Sequence, residues 1–132
     1  TTDNQITNVI VGSSELAYEP TKSDYTQTTI ELLNASNTMV NIQGNNASRQ
    51  RSTTWKIWID LNDNGIFGDE NNELVFDDFV AENQPYGLST QLDLSALPND
   101  GNPKYMRIIG DYVVVTPCSA NAGEALDVKV KW

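Results

Sequence analysis

The chain has 132 residues, with 18 acidic against 8 basic side chains and a formal net charge of −10. That length fits one domain with a real core, and a negative field repels phosphate backbones and anionic lipid, so we expect neither nucleic acid nor a membrane as a partner. The chain has no histidine and one cysteine, Cys118, which excludes histidine-based catalytic dyads, imidazole-bound zinc and an internal disulfide. Catalysis by carboxylates alone, as in glycosidases, stays open, but no acid lies in a sequence context that marks it as catalytic, so we expect no enzyme activity.

The pattern along the chain is that of short strands. Sustained helical spacing of apolar residues is absent, and clusters of turn residues recur at short intervals. We predict an all-β fold, an antiparallel two-sheet β-sandwich that is jelly-roll-like, with about eight strands. In chain order the predicted strands are Ile6–Val11, Thr26–Leu33, Thr38–Ile42, Thr54–Ile59, Glu73–Phe79, Leu88–Leu94, Lys104–Val115 and Ala125–Trp132.

Alternation of apolar and polar residues is clearest in three of these strands. In the first, Trp55, Ile57 and Ile59 share a face, while Lys56, Trp58 and Asp60 share the other. In the second, near Thr90, Leu92 and Leu94 are apolar while Gln91 and Asp93 are polar. In the last strand, alternate residues are apolar from Leu126 to Trp132. One face of each strand is therefore expected to pack and the other to meet solvent, as in an antiparallel sheet.

The segment that follows Ile59 carries the most informative motif. Oxygen-bearing side chains occur at Asp60, Asn62 and Asn64, and Gly65 follows at once, which is the first half of an EF-hand-type loop. Calcium requires six to eight hard oxygen ligands around one point, and the glycine allows the sharp turn that brings alternate residues together. The backbone carbonyl of Ile66 is the next expected ligand.

The second half of the loop departs from the EF-hand pattern. Its twelfth position is Asn71, and a strand precedes the loop where an EF-hand has a helix. Asp69, Glu70 or Glu73 would then have to complete the shell of a structural Ca²⁺. The alternative is a solvated turn rich in Asn, Asp and Gly, without an ion.

Several segments of the chain resemble one family. Trp58–Phe67 resembles the W-I-D-x-N-x-D-G-x-F signature of GEVED domains, with Asn64 in place of the usual Asp. Tyr105–Ile108 resembles the R-M-R-V strand of that family, Gly123–Val128 its closing G-E-V-E-D-Y, and Asp24–Thr26 a D-Y-T element upstream. The resemblance implies a β-sandwich accessory domain of secreted multidomain bacterial proteins, attached to peptidases, glycan-degrading enzymes or adhesins.

A carbohydrate site would need exposed aromatic rings that stack on a sugar, together with a few polar contacts. The ligand-binding residues that we predict are Trp55, Tyr86, Tyr105, Arg107 and Tyr112. Two residues have a purely structural alternative role. Arg107 can instead pair with Glu124 or Asp127, and Trp58 is expected to pack under the acidic loop.

These observations predict a non-catalytic extracellular module over residues 1–132, excised from a larger secreted protein. Its expected task is to bind a polysaccharide, a neutral one because of the negative charge, and so to target an attached secreted hydrolase. The alternative is a structural spacer, or a domain of a secreted peptidase or adhesin that docks an extracellular protein substrate. Other domains of the parent polypeptide are expected as further partners.

Overall fold

The protein is described by a computed structural model over residues 6–16, 18–19, 24–44, 53–68, 73–80, 87–98, 100–111 and 124–132. Those residues form strands and contain no helix, hence none able to span a membrane. The nine strands are β1 (Ile6–Val11), β2 (Ser14–Glu15), β3 (Asp24–Glu31), β4 (Thr38–Gly44), β5 (Thr53–Ile59), β6 (Leu74–Val80), β7 (Gly87–Leu92), β8 (Lys104–Asp111) and β9 (Glu124–Lys131).

The strands form two sheets. The four-stranded sheet has the order β2-β1-β4-β7 and is antiparallel throughout. The five-stranded sheet has the order β3-β9-β8-β5-β6 and is antiparallel except where β3 runs parallel to β9. The all-β, two-sheet prediction is confirmed, but the prediction of a purely antiparallel arrangement is wrong at this one pairing. Local alternation cannot reveal it, because a half-buried strand alternates in the same way whichever direction its neighbour runs.

The two sheets pack face to face around one core. Trp55, Ile57 and Ile59 on β5 are fully buried, as their alternation predicts. They belong to the same buried cluster as Val9 and Val40, which lie in the other sheet. A core that draws on both sheets is the defining feature of a β-sandwich.

Trp55 belongs to this core and has no exposed surface. Its partner across the strand pair is Gly110 on β8. A Cβ atom at Gly110 would lie 2.5–2.6 Å from three carbons of the indole ring, so only glycine leaves room for it there. The prediction that Trp55 binds a ligand is corrected, because its ring packs inside the sandwich and is not accessible to a ligand in solvent.

Candidate functional site

The acidic loop, residues 60–68, follows β5 directly. Asp60 is only 1% exposed, although it is an acidic residue. Its Oδ1 accepts the N–H of Asn64 (3.3 Å) and its Oδ2 accepts the N–H of Gly65 (2.8 Å). Gly65 has φ of 78° and Asp63 has φ of 57°, so the chain curves tightly around the Asp60 carboxylate. The predicted sharp turn is therefore present, and it is organised by the first residue of the motif.

Glu73 fixes the loop from its other end. This side chain is completely buried, and its Oε2 accepts the N–H of Leu61 while its Oε1 accepts the N–H of Gly68, each at 2.9 Å. Its backbone carbonyl also accepts the N–H of Ile59 (2.9 Å). One carboxylate thus ties the start and the end of the loop together, a role that the sequence pattern did not predict.

A buried lysine holds the middle of the loop. Lys104, at the start of β8, is 1% exposed, and its Nζ donates to Asp63 Oδ2 (2.6 Å) and contacts Asp100 Oδ1 (3.0 Å). Burial by itself lowers the pKa of Lys104, but hydrogen bonds and charge attraction from the two aspartates outweigh it and raise that pKa above its ordinary 10.5. The N–H of Asn102, and after it Lys104, lowers the pKa of Asp100 below 3.8. Lys104 therefore stays charged and links the acidic loop, through Asp63, to the segment that contains Asp100.

Phe67 folds the end of the loop back over the outer face of the five-stranded sheet. Its ring packs on Trp58 and Ile109, which form a second, small buried cluster. The Arg107 guanidinium carbon lies 4.5 Å from the Phe67 ring centroid, and Nε and a terminal nitrogen of Arg107 donate to both oxygens of Asp127 (2.8 and 2.9 Å). Both predicted alternatives are confirmed: Trp58 packs under the loop, and Arg107 pairs with Asp127.

The predicted ion ligands are partly brought together. Asn62, Asn64 and Ile66 are exposed in the loop above Asp60, and Asn64 Oδ1 accepts the N–H of Ile66 (2.9 Å). Asp69 and Glu70 lie outside the described residues. Within the part of the chain that is described, no three Asp, Glu, His or Cys side chains are grouped closely enough to hold a metal ion. A calcium shell here would depend on amide and carbonyl oxygens around Asp60, and calcium stays a prediction.

The donor set of the loop is chemically suited to such an ion. An ionised carboxylate offers about four lone-pair positions, and the Asp60 carboxylate uses two of them for backbone N–H groups. The remaining lone pairs of Asp60 and the side-chain amide oxygens of Asn62 and Asn64 in the same loop are hard oxygen atoms of the kind that Ca²⁺ prefers. Both amide side chains already have interactions within the protein.

The predicted sugar-binding residues do not form one cluster. Tyr105 on β8 is 44% exposed, and the Nζ of Lys129 lies 6.0 Å from its ring centroid. Arg107 is engaged by Asp127, and Trp55 is in the core. Tyr86 and Tyr112 lie outside the described residues. Of the two predicted aromatic residues that the structure describes, Tyr105 is exposed and Trp55 is buried.

The outer faces of the two sheets differ sharply in charge. Outward-facing positions of the five-stranded sheet carry ionised side chains of both signs, several of them paired across strands: Asp24, Glu31, Lys56, Asp77, Arg107, Asp127, Lys129 and Lys131.

The corresponding face of the four-stranded sheet, here called the amide face, carries amide and hydroxyl groups from Thr7, Asn8, Asn41, Gln43, Ser89 and Gln91. Ile10 and Met39 lie among them. Of the outward-facing side chains in these four strands, Glu15 alone is charged, and it lies on the edge strand β2.

The fold and the loop define a class of protein: a small all-β domain of two sheets, with an acidic loop whose start and end are both hydrogen-bonded by Glu73. Within that class, the chain belongs to the GEVED domain family, whose model matches residues 54–131, more than half of the chain. The match covers the acidic loop and all strands from β6 onward. Comparison with curated proteins gave no match.

Proposed function

We propose that this domain is a non-catalytic carbohydrate-binding module of a secreted protein, which brings an attached hydrolase to a neutral polysaccharide. The observation that carries the proposal is the amide face. A protein with a net charge of −10 presents one broad sheet face on which Glu15, at the edge, is the charged outward-facing side chain of the four strands. Such a surface matches a ligand that is rich in hydroxyls and has no charge.

The physical reason is the cost of desolvation. When a sugar displaces water from an ionised side chain without offering a counter-charge, the desolvation of that charge opposes binding. An amide is cheaper to desolvate, and it both donates and accepts, so it can replace its water contacts with sugar hydroxyls. Each such hydrogen bond contributes about 0.5–1.5 kcal/mol net.

Affinity electrophoresis tests this proposal. The purified domain is run through gels that contain neutral polymers (hydroxyethyl cellulose, glycol chitin or agarose) or alginate, a polyanion. We expect retardation by at least one neutral polymer and none by alginate. Preferential retardation by alginate that strengthens at low salt would contradict the charge argument. The absence of retardation by any of the polymers would contradict the proposal of carbohydrate binding.

A structural Ca²⁺ in the acidic loop is part of the same proposal. The sequence places five carboxylates between residues 60 and 73, and a divalent cation would reduce the negative charge of that segment. Two of the first three predicted side-chain ligands are neutral amides, Asn62 and Asn64, so we expect a Kd on the order of 10⁻⁴ to 10⁻³ M. Calcium at ~100 times that Kd would stabilise the fold by about 2.7 kcal/mol, a melting shift of several degrees.

Two variants of matched charge separate an ion site from general electrostatics. Asp60→Asn and Asp63→Asn each remove one negative charge from the same loop, but Asp60 is a predicted ligand and Asp63 is held by Lys104. In thermal melts with calcium or EDTA, we expect Asp60→Asn to lose the calcium shift and Asp63→Asn to keep it. A parent melt that is insensitive to EDTA, with calcium removal verified by elemental analysis, would leave the loop as an ion-free turn.

One observation favours the alternative, a protein-docking domain. Leu33, just beyond β3, is 89% exposed, and Met39 is 42% exposed. Both line a groove of about 230 Å³ together with Leu32 and Asn34. If the module docks a protein, retention on insoluble collagen should be lost in Leu33→Ser, whereas carbohydrate binding predicts that this variant behaves as the parent on every polysaccharide.

A further inference from the structure

The amide face is built in rows that run across the strands. Asn41 on β4 pairs with Ile10 on β1 and with Ser89 on β7. One step along, Gln43 lies opposite Asn8 and Gly87. Neighbouring strands are about 4.8 Å apart. Each row therefore holds two neighbouring polar side chains at about that spacing, Asn41 with Ser89 in one row and Asn8 with Gln43 in the other.

One end of this face is hollowed into an open groove of about 460 Å³. Thr7, Asn41, Gln43 and Ser89 line it, and Gly87 contributes backbone but no side chain. The groove thus places polar side chains beside Gly87, a position from which no side chain projects.

The side chains of this groove have hydrogen-bonding capacity to offer. Within the described residues, the amides of Asn41 and Gln43 and the hydroxyl of Ser89 form no hydrogen bond with the protein, whereas the Thr7 hydroxyl donates to the Gln43 carbonyl (3.1 Å). On the opposite sheet, by contrast, Arg107 is already engaged with Asp127.

We propose that the ligand site of this domain is the groove on the amide face, where Asn41, Gln43 and Ser89 hydrogen-bond the hydroxyls of a neutral sugar chain. The inference rests on the proposed carbohydrate binding and locates it away from Tyr105. Two of these residues, Asn41 and Gln43, precede residues 54–131, the part that matches the family model. Ligand preference is thus set mainly by a part of the chain outside the shared motif.

Single substitutions across the two faces test this assignment. The probe is whichever of hydroxyethyl cellulose, glycol chitin or agarose retards the parent domain. Asn41→Ala and Gln43→Ala should each weaken binding about three- to tenfold, the equivalent of one net hydrogen bond. Gln43→Glu, which keeps size and adds a charge, should weaken it at least as much. Gln27→Ala is the matched control, since Gln27 is an exposed amide on β3 of the other sheet, and its affinity should equal that of the parent.

Tyr105→Ala provides the competing arm. If the amide-face variants lose affinity with unchanged melting temperatures while Tyr105→Ala keeps it, the assignment is supported. Undiminished binding by Asn41→Ala, Gln43→Ala and Gln43→Glu, together with loss in Tyr105→Ala, would overturn the assignment and leave carbohydrate binding intact. A parent domain that none of the three polymers retards would overturn both proposals.

Discussion

The contact between Gly110 and Trp55 gives the sharpest stability prediction. In Gly110→Ala the new methyl group would lie 2.5–2.6 Å from the ring carbons of a fully buried tryptophan. Overpacking of this kind costs about 1–3 kcal/mol. The loss of backbone freedom in the unfolded chain offsets about 0.4–1 kcal/mol. We therefore expect a net destabilisation of about 1–2 kcal/mol.

That loss corresponds to a measurable melting shift. An unfolding entropy of about 2.1 cal/mol/K per residue gives roughly 0.28 kcal/mol/K for the chain. The melting temperature of Gly110→Ala should then fall by about 4–7 °C in differential scanning calorimetry. The backbone at Gly110 does not adopt a left-handed conformation, so the fall reports the clash with the ring and not backbone strain.

A double-mutant cycle checks the cause. Trp55→Phe removes the outer ring of the indole and leaves a cavity beside Gly110, which the alanine methyl group partly fills. The double variant should therefore be more stable than the sum of the two single changes by about 0.5–3 kcal/mol. Single changes that add within about 0.3–0.5 kcal/mol in the double variant would refute the reasoning. A Gly110→Ala melting temperature within 1 °C of the parent, equivalent to about 0.3 kcal/mol, would refute it as well.

Three further outcomes are expected. The free energy of unfolding of the parent should fall as the pH rises above 10.5, because the pKa of Lys104 is higher in the folded state than in the unfolded chain. In denaturant titrations at several pH values, Lys104→Met should lack this fall. Glu73→Gln keeps one acceptor oxygen for the two N–H groups of Leu61 and Gly68 that the carboxylate binds. The free energy of unfolding, measured by urea titration in EDTA, should therefore drop by about 1.5–3 kcal/mol. An unchanged urea midpoint would argue against this role of Glu73. Phe67→Ala should cost about 1–2 kcal/mol of stability, because the Phe67 ring covers Trp58. Acrylamide should then quench tryptophan fluorescence more in the variant than in the parent, and equal quenching would contradict this.

Local alternation predicted the strands whose one face is buried. Ile6–Val11 is correct at both ends, and the strand at Trp55 is correct to one residue. Residues 14–15 form a strand too short to show any period, so β2 was not predicted. The predicted Thr26–Leu33 strand begins two residues earlier, at Asp24, and ends at Glu31. Of the predicted Lys104–Val115 strand, residues after Asp111 lie outside the described part.

The site was harder to predict because its contacts are not local. Trp58 lies on the polar side of its strand, yet it is buried because Phe67, nine residues later, returns to cover it. Lys104 gives no sign in sequence of being enclosed, since its two aspartates lie in separate loops. The motif that begins at Asp60 predicted the turn correctly, because it encodes a local hydrogen-bonding pattern.

The parallel pairing of β3 with β9 has a consequence for how the chain acquires its structure. Asp24 lies beside Asp127, so the pairing joins segments that are separated by most of the polypeptide. Closing a loop of that size sacrifices chain entropy before any stabilising contact forms, and folds dominated by such distant contacts assemble slowly, in milliseconds to seconds. During synthesis, β3 is made well before β9 and has no partner strand until β9 has been made. The sheet that carries the acidic loop thus needs β9 to be continuous, and a chain truncated before β9 would leave β3 without a strand partner and β8 with an unpaired edge.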